Sequence, residues 1–451
     1  MATFRGTSGA DAFRAPTTEV NFLHGEAGAD RLWGGYLPDQ IYGGSENDFL
    51  YGGAGEDLLD GGAGNDLLDA GTGDDIIYDK SGTNVIKAGT GDDTVHLRWE
   101  GEGAGTVNSV YLGSGDDWVY ACGQIEKVDG EAGEDTVSYA YSPSSVSVSL
   151  QKGTGSGGWA AGDRYWSIED VTGSKFNDTL IGNAVSNTIK GGNGDDKISG
   201  GAGPDLLDGG TGIDTLSYAG AVFRGSSIYP IGVSVNLQNG AAIGSDAEGD
   251  VIRNFENVTG TTESDEIWGN SKANVLRGGG GNDRLHGGDG NDTLYGAGAD
   301  RSYGNGAVFD GGAGNDSLIG GNEMGNFDGG TGNDWIFGGA QADNMFGGAG
   351  KDKFVYRSIS DSAGYPQDTI FDFEEGDIID LRRCDANSGV AGNQAFEFIG
   401  TAEFTGAGQI RYVQSILGET QIISNEQTED GYYFGVNITG LIDFEAGDFL
   451  L

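Results

Sequence analysis

Gly52-Gly53-Ala54-Gly55-Glu56-Asp57-Leu58-Leu59-Asp60 is one turn, one carboxylate and one three-residue strand, and its neighbours on both sides repeat the arrangement. Leu32, Ile41, Leu50, Leu59, Leu68, Ile77, Ile86 and Val95 follow one another every ninth residue, and two positions before each stands Asp30, Asp39, Asp48, Asp57, Asp66, Asp75, Asn84 or Asp93. Glycines supply the positive φ angles of a tight turn and let backbone approach an ion closely. In the x-Leu-x triplet the middle side chain points to one face and its neighbours to the other. Two nonapeptides are expected to close one flattened turn. Successive turns then stack at about the 4.8 Å strand spacing, with the aliphatics as a ladder inside a parallel roll. A bend of carbonyls beside one carboxylate is a hard, all-oxygen site of the kind that selects Ca²⁺ or Mg²⁺.

The pattern returns along the chain. An isolated unit, Gly6 to Arg14, precedes the first block, and two detached units around Asp117 and Asp135 follow it. A second block carries Asp178, Asn187, Asp196, Asp205 and Asp214; a third carries Asp265, Asn274, Asp283 and Asp292, slips phase near Gly296 to Asn305, and resumes with Asp316, Asp334, Asp343 and Asp352. Gly325 replaces the acid of one unit. The aspartates of all these units, with those from Asp30 to Asp93, are the candidate metal ligands. Between blocks lie two segments that resemble each other: Ser138-Tyr139-Ala140, Val146 to Gln151 and Ile168 to Gly173, against Ser217-Tyr218-Ala219, Val233 to Gln238 and Phe255 to Gly260. Their alternation predicts β excursions that rejoin the roll, with no helix.

These nonapeptides resemble the RTX, or haemolysin-type, calcium-binding repeat of bacterial exported proteins. From about Tyr356 glycine thins and aromatics increase, as in Asp368-Thr369-Ile370-Phe371-Asp372-Phe373 and Asp377-Ile378-Ile379-Asp380-Leu381. This stretch is similar to the C-terminal domain of serralysin-type proteases and to alginate-epimerase R modules. The resemblance implies a β cap and an uncleaved type I secretion signal, with Asp448-Phe449-Leu450-Leu451 fitting the signal's acidic residue followed by apolar ones. The expected fold is therefore all-β: parallel, calcium-bound β-roll (β-solenoid) blocks at 1–137, 173–217 and 260–355, β inserts at 138–172 and 218–259, and a C-terminal cap at 356–451.

Composition points the same way. Against 24 Lys and Arg stand 70 Asp and Glu, a formal charge of −46, which makes cations the natural partner and argues against nucleic acid or anionic membrane. With 88 Gly and 36% hydrophobic residues, the metal-free chain buries too little apolar surface to offset its conformational entropy. Two carboxylates about 5 Å apart on adjacent turns repel by about 3 kcal/mol at an effective dielectric near 20. Folding is thus expected to wait for the ion. A site with a dissociation constant of about 10⁻⁴ M contributes about 2.7 kcal/mol at about 10 mM calcium and essentially nothing at about 10⁻⁷ M, so the chain stays unfolded inside the cell and folds outside. Met1-Ala2-Thr3-Phe4-Arg5-Gly6 has neither the charged nor the apolar region of a cleaved leader, and no run is long enough for a transmembrane segment. The expected location is extracellular, secreted or held at the cell surface.

Catalytic signals are sparse. His24, His96 and His286 belong to no His-Glu-x-x-His motif, so the zinc chemistry of serralysins is not expected, and acidic pairs are uninformative among so many acids. Cys122 and Cys384 are read as separate thiols. Trp33, Tyr42, Tyr51, Tyr78, Trp268, Tyr295, Phe337 and Phe346 occupy the outward ninth position, where they either stack on sugar rings or a second roll, or serve the strands themselves. Asp74, Asp92 and Asp195, just before a repeat aspartate, are either extra ligands or a solvated acidic face. Two readings stay open. One is a non-enzymatic calcium-locked protein with a structural, surface-assembly or adhesive role, its partners the type I secretion apparatus and then copies of itself or cell-surface polysaccharide. The other is an exported polysaccharide-active or degradative enzyme with its site in the inter-block segments.

Overall fold

A computed structural model describes residues 2–97, 107–221, 231–296, 306–428 and 430–451. The chain divides into two compact units, one of residues 1–216 with 249–255, the other of 217–248 with 256–451.

In the first unit, strand Gln40–Ser45 lies parallel to Leu58–Ala63 with Ile41 opposite Leu59, and Phe49–Ala54 lies parallel to Leu67–Thr72 with Leu50 opposite Leu68. The partners are 18 residues apart and the two pairs belong to different sheets, so two nonapeptides make one turn and consecutive units alternate between facing sheets. Leu23, Leu32, Ile41, Leu50, Leu59, Leu68 and Ile77 are fully buried between those sheets. Each such side chain stabilises the roll by about 1.5–3 kcal/mol through burial alone. The turns stack so tightly that only glycine fits: Gly62 has φ 91°, and a methyl group there would run into the Gly44 carbonyl one turn away.

The unit Gly6 to Arg14 is not isolated, because Phe13 pairs in register with Leu32. Nor are the units around Asp117 and Asp135 detached. Trp118–Tyr120 continues the sheet from Thr94–Leu97, and Thr136–Ser138 follows it. The insert that comes next forms the hairpin Ser147–Ser149 with Thr154–Ser156 and a 3₁₀ turn, Gly158–Ala160, and then returns strands Arg164–Trp166 and Asp170–Thr172 to the two sheets. It is the β excursion that its alternation predicts.

The second unit opens with the matching hairpin, Ile231–Asn236 with Ala241–Ile243, and a matching 3₁₀ turn, Ser245–Ala247. Its roll runs through Ser264–Trp268, Arg284–Asp289 and Ala307–Ala313 on one sheet and Val275–Arg277, Thr293–Tyr295 and Ser317–Ile319 on the other. The phase slip expected at Gly296 to Asn305 falls, from 297 on, outside the described residues; the strands flanking it pair with an offset of 24, Leu285 opposite Phe309. Parallel pairing continues beyond Tyr356, since Asp368–Ile370 and Ile378–Asp380 add the next turn. An antiparallel meander follows, Gln409–Gln414, Glu419–Gln427 and Tyr433–Thr439, whose last strand rejoins Asp368–Ile370. Phe449–Leu450 closes the unit beside Ile379–Asp380. Among the described residues there is no α-helix, and no helix is long and apolar enough to cross a membrane.

Candidate calcium-binding turns

In most of the described nonapeptides the sixth residue sits at the bend, and its Oδ1 accepts a hydrogen bond from the backbone N–H of the sixth residue one turn earlier. One edge of the first unit carries Asp39 N–H to Asp57, Asp57 to Asp75, Asp75 to Asp93, Asp93 to Asp117 and Asp117 to Asp135, at 2.6–3.0 Å. The opposite edge carries Asp30 to Asp48, Asp48 to Asp66 and Asp66 to Asn84 at 2.7–2.8 Å. Asp178 to Asp196, Asn187 to Asp205 and Asp196 to Asp214 continue the arrangement at 2.7–2.8 Å. In the second unit Asp265 bonds Asp283, Asp292 bonds Asp316, Asp316 bonds Asp334 and Asp334 bonds Asp352, at 2.7–3.0 Å.

The other carboxylate oxygen is the informative one. In Asp30, Asp48, Asp57, Asp66, Asp75, Asp93, Asp117, Asp135 and Asp196, and in Asp283, Asp292, Asp316, Asp334, Asp343 and Asp352, Oδ2 is buried and has no hydrogen-bond partner in the protein. In Asp30, Asp48, Asp57, Asp196, Asp292, Asp316 and Asp334 it lies against the first glycine of its own unit, beside the carbonyl of the first residue one turn on. A methyl group on Gly311 would meet Asp316 Oδ2 at 2.6 Å and the Gly329 carbonyl at 2.5 Å; on Gly329 it would meet Asp334 Oδ2 at 2.5 Å and the Gly347 carbonyl at 2.6 Å. A buried anionic oxygen facing carbonyl oxygens is strongly unfavourable without a cation between them. Among the described residues no three acidic, histidine or cysteine side chains converge on one point, so backbone carbonyls must complete any coordination sphere. That all-oxygen donor set, with one carboxylate to a bend, fits Ca²⁺.

Burial makes these groups reluctant anions. It pushes Asp57, Asp66 and Asp75 up to about 7 and Asp93 and Asp135 to about 8, with repulsion from the ladder neighbours adding to the rise. Asp283 rises to about 8 and Asp343 to about 9 for the same reasons.

Not every candidate aspartate has an open oxygen. Asp39 Oδ2 accepts the Gly35 N–H at 2.6 Å, Asp265 Oδ2 the Thr261 N–H at 2.6 Å, and Asp178 Oδ2 the Ser174 N–H. Other turns replace the carboxylate. Asn187 Oδ1 accepts the Asn183 N–H of its own turn at 2.7 Å, while its Nδ2 donates to the Glu169 carbonyl at 2.6 Å. Asn274 does the same with the Asn270 N–H and the Glu256 carbonyl, both at 2.7 Å, and Asn21 Nδ2 donates to the Glu19 carbonyl at 2.8 Å. There an amide N–H stands where a cation would. At Gly325, the unit without an acid, the core residue is Phe327, and its ring tip lies 2.6 Å from where a Gly320 methyl group would be. A phenyl ring fills that bend.

Several ladder members escape the sequence analysis: Asn21, Asn108, Glu126, Asp368 and Asp377. All share the offset of two before a buried residue, here Leu23, Val110, Val128, Ile370 and Ile379, so the signal was present. Asp368 and Asp377 accept the Asp343 and Asp352 N–H groups at 2.9 and 2.8 Å across offsets of 25. Glu126 enters a buried polar nest: the Cys122 thiol donates to it at 3.1 Å, its N–H donates to Asp163 at 2.9 Å, and Tyr139 hydroxyl donates to Asp163 at 2.6 Å. Burial and the Asp163 charge push its carboxyl well up. Cys122 and Cys384 are both free and buried.

Asp74, Asp92 and Asp195 are brackets between turns. Asp74 accepts the Asp92 N–H, Asp92 the Asp116 N–H, both at 2.9 Å, and Asp195 the Ile213 N–H at 2.9 Å, all in exposed positions. Of the ninth-position residues, His96 stacks between Tyr78 and Tyr120 at 4.8 and 4.7 Å, His286 on Trp268 at 5.5 Å and His24 on Tyr42 at 5.7 Å. Arg277 covers Tyr295 at 4.1 Å and Arg357 covers Phe337 at 3.9 Å.

Two family patterns match the chain. The RTX calcium-binding nonapeptide repeat matches residues 17–36, 37–68, 69–98, 181–216, 259–294 and 287–307, and the peptidase M10 serralysin C-terminal domain matches residues 305–451. No curated protein matches the chain. Similar solved structures include the AlgE6R3 subunit of the Azotobacter vinelandii mannuronan C5-epimerase, 23% identical with a TM-score of 0.20 over 42% of this chain and 77% of that one. Another is the extracellular lipase LipA from Serratia marcescens, 16% identical with a TM-score of 0.16 over 62% of this chain; the match spans 40% of the lipase. The chain therefore carries RTX calcium-binding repeats, which bind multiple Ca²⁺ ions, joined to a serralysin-type C-terminal domain, the build of a type I secreted, calcium-binding protein.

Proposed function

We propose that this is a non-enzymatic secreted protein that calcium converts from an export-competent coil into a rigid roll serving a structural, surface-assembly or adhesive role. The observation that carries the reading is the row of buried, unpartnered Oδ2 atoms at an 18-residue spacing. The proposed ligands are the aspartates with an open Oδ2, together with Asp205 and Asp214 from the same ladder, each assisted by backbone carbonyls of the turn. Asp39, Asp178 and Asp265 are weaker candidates, because a backbone N–H already holds their second oxygen. Calcium here supplies charge neutralisation and cross-links adjacent turns.

Two further features support the reading. Each of the three histidines is committed to an aromatic stack on a strand, and none lies within a nucleophile or metal motif. The tail expected to be read by the export machinery is docked in the folded chain, with Phe449 buried against Phe398 at 4.8 Å and the Leu450 carbonyl accepting the Leu381 N–H at 2.8 Å. Recognition of that tail thus belongs to the unfolded, calcium-poor state. Calcium titration followed by circular dichroism tests the folding switch. Electron microscopy with and without chelator tests assembly: ordered polymers or surface layers only with calcium support the structural role, whereas a soluble monomer that turns over alginate-like polymers would overturn it.

A further inference from the structure

The bend that runs from Asp79 to Asn84 carries its acid where most units have glycine. In the unit Asp79-Lys80-Ser81-Gly82-Thr83-Asn84-Val85-Ile86-Lys87 the usual first glycine is Asp79 and the usual sixth aspartate is Asn84. The two exchanges are coupled, because Asn84 Nδ2 donates to Asp79 Oδ2 and holds the carboxylate in place. The remaining oxygen, Asp79 Oδ1, belongs to a side chain that is 2% exposed, and it has no hydrogen-bond partner. It is aimed across the turn. A methyl group on Gly61 would lie 2.7 Å from Asp66 Oδ2 and 3.1 Å from Asp79 Oδ1, so both unpartnered oxygens face one point. In the ordinary bend at Gly43 that second place is taken by the neutral Gly61 carbonyl at 2.6 Å. A third unpartnered buried oxygen, Asp60 Oδ1, belongs to the residue preceding Gly61; the other oxygen of Asp60 is 3.5 Å from Lys80 Nζ.

We infer that Asp66 and Asp79, backed by Asp60, form a two-carboxylate cation site that fills at lower calcium than the one-carboxylate bends and so seeds the first unit. The inference rests on the calcium-binding reading above and goes beyond it by assigning the order of filling. Calcium affinity rises with the number of charged ligands. The second carboxylate is expected to tighten this site about tenfold or more over its neighbours. The neighbouring turns then gain, because a pair of strands already fixed by one ion spares the next ion part of the ordering entropy.

The test is calcium titration of the full chain by calorimetry, with circular dichroism at saturating calcium to establish that each variant folds. Asp79→Asn keeps the acceptor for Asn84 and removes the charge; Asp79→Gly restores the residue found first in most units and is the backbone-tolerant control; Asp48→Asn disables an ordinary bend. The expected result is a tight step in the wild type that both Asp79 variants shift about tenfold or more to higher calcium and Asp48→Asn leaves in place. A tight step that survives in both Asp79 variants, or no tight step in the wild type, overturns this site alone. Absence of calcium binding in every chain overturns the general reading instead.

Discussion

The two edges of the first unit are built on the same backbone ladder and part where the sixth residue stops being aspartate. Along one edge run Asp39, Asp57, Asp75, Asp93, Asp117 and Asp135; along the other Asp30, Asp48 and Asp66 give way to Asn84, Asn108 and Glu126. As far as Asn108, Oδ1 does the same work on both, accepting the N–H one turn back, whereas the Glu126 carboxylate accepts the Cys122 thiol. The second atom decides whether an ion is needed. A carboxylate Oδ2 leaves a buried negative charge facing carbonyls, whereas the asparagine amide donates to an oxygen already present, as Asn108 Nδ2 does to Gln124 Oε1 at 3.0 Å. In the second unit Phe327 is a third solution, a hydrocarbon plug. A roll can therefore be calcium-dependent turn by turn, with the dependence written in position six.

Chelation bears hardest on this comparison. With excess EGTA at about pH 8 the all-aspartate edge holds a file of repelling charges, and the loss of about 2.7 kcal/mol per ion across many bends exceeds the usual stability of a domain of about 5–15 kcal/mol. The β signal in circular dichroism should collapse and return on adding calcium; an unchanged spectrum and melting curve would falsify the proposed role of the ion.

Next in size is Asp75→Ala. It removes an ion ligand and also orphans the buried Asp57 N–H, which Asp75 Oδ1 now accepts at 2.7 Å. Destabilisation of about 4 kcal/mol in calcium is expected from the two losses together. Melting temperatures of Asp75→Ala and Asp75→Asn, compared at saturating calcium, separate the ladder bond from the ion, since asparagine keeps only the bond.

Proton binding should substitute partly for calcium. The folded-state values of Asp57, Asp66 and Asp75, about 7, and of Asp93 and Asp135, about 8, lie above the ordinary carboxylate range because of burial. Between about pH 4 and pH 8 the metal-free native state consequently binds more protons than the unfolded chain, and stability falls as pH rises. In EGTA, β structure should appear on acidification from pH 8 to pH 5 and level off near pH 4, where both states are protonated. A metal-free chain that folds better at pH 8 than at pH 5 would contradict the buried-carboxylate account.

The smallest effect sharpens the comparison most. Asn187→Asp converts an amide-filled bend into an ion-requiring one by exchanging the donor to the Glu169 carbonyl for an anion. Calorimetry should count one more calcium ion, with stability in EGTA lower by about 1–3 kcal/mol for the lost bond and the new repulsion. An unaltered stoichiometry would show that the second atom of position six does not select the ion.

Much of this was legible beforehand because one period governs both packing and chemistry. An aliphatic every ninth residue announces two strands to a turn, and an aspartate two places earlier announces where the bend must be. What the period concealed were members whose type had changed. Asn108 and Glu126 lie at the right offset but lack the expected residue, and Asp79 lies at an offset that the pattern reserves for glycine. The apparent isolation of the unit at Gly6 and of those around Asp117 and Asp135 came from offsets of 19 and 24 between partners, which an 18-residue rule does not allow.

Local sequence alone determined the turns, the strand triplets and the inward row of aliphatics, because glycine conformation and side-chain alternation are properties of residues close together in the chain. It also determined the acidic excess that calls for cations. Only the stacked structure decided which carboxylate oxygens are engaged and which are left facing carbonyls, because that depends on what lies one turn away, 18, 24 or more residues along. Burial acts on the assembled turn and not on the nonapeptide, so the same Asp is an exposed bracket at position 74 and at position 75 keeps one buried oxygen unpartnered and cation-seeking.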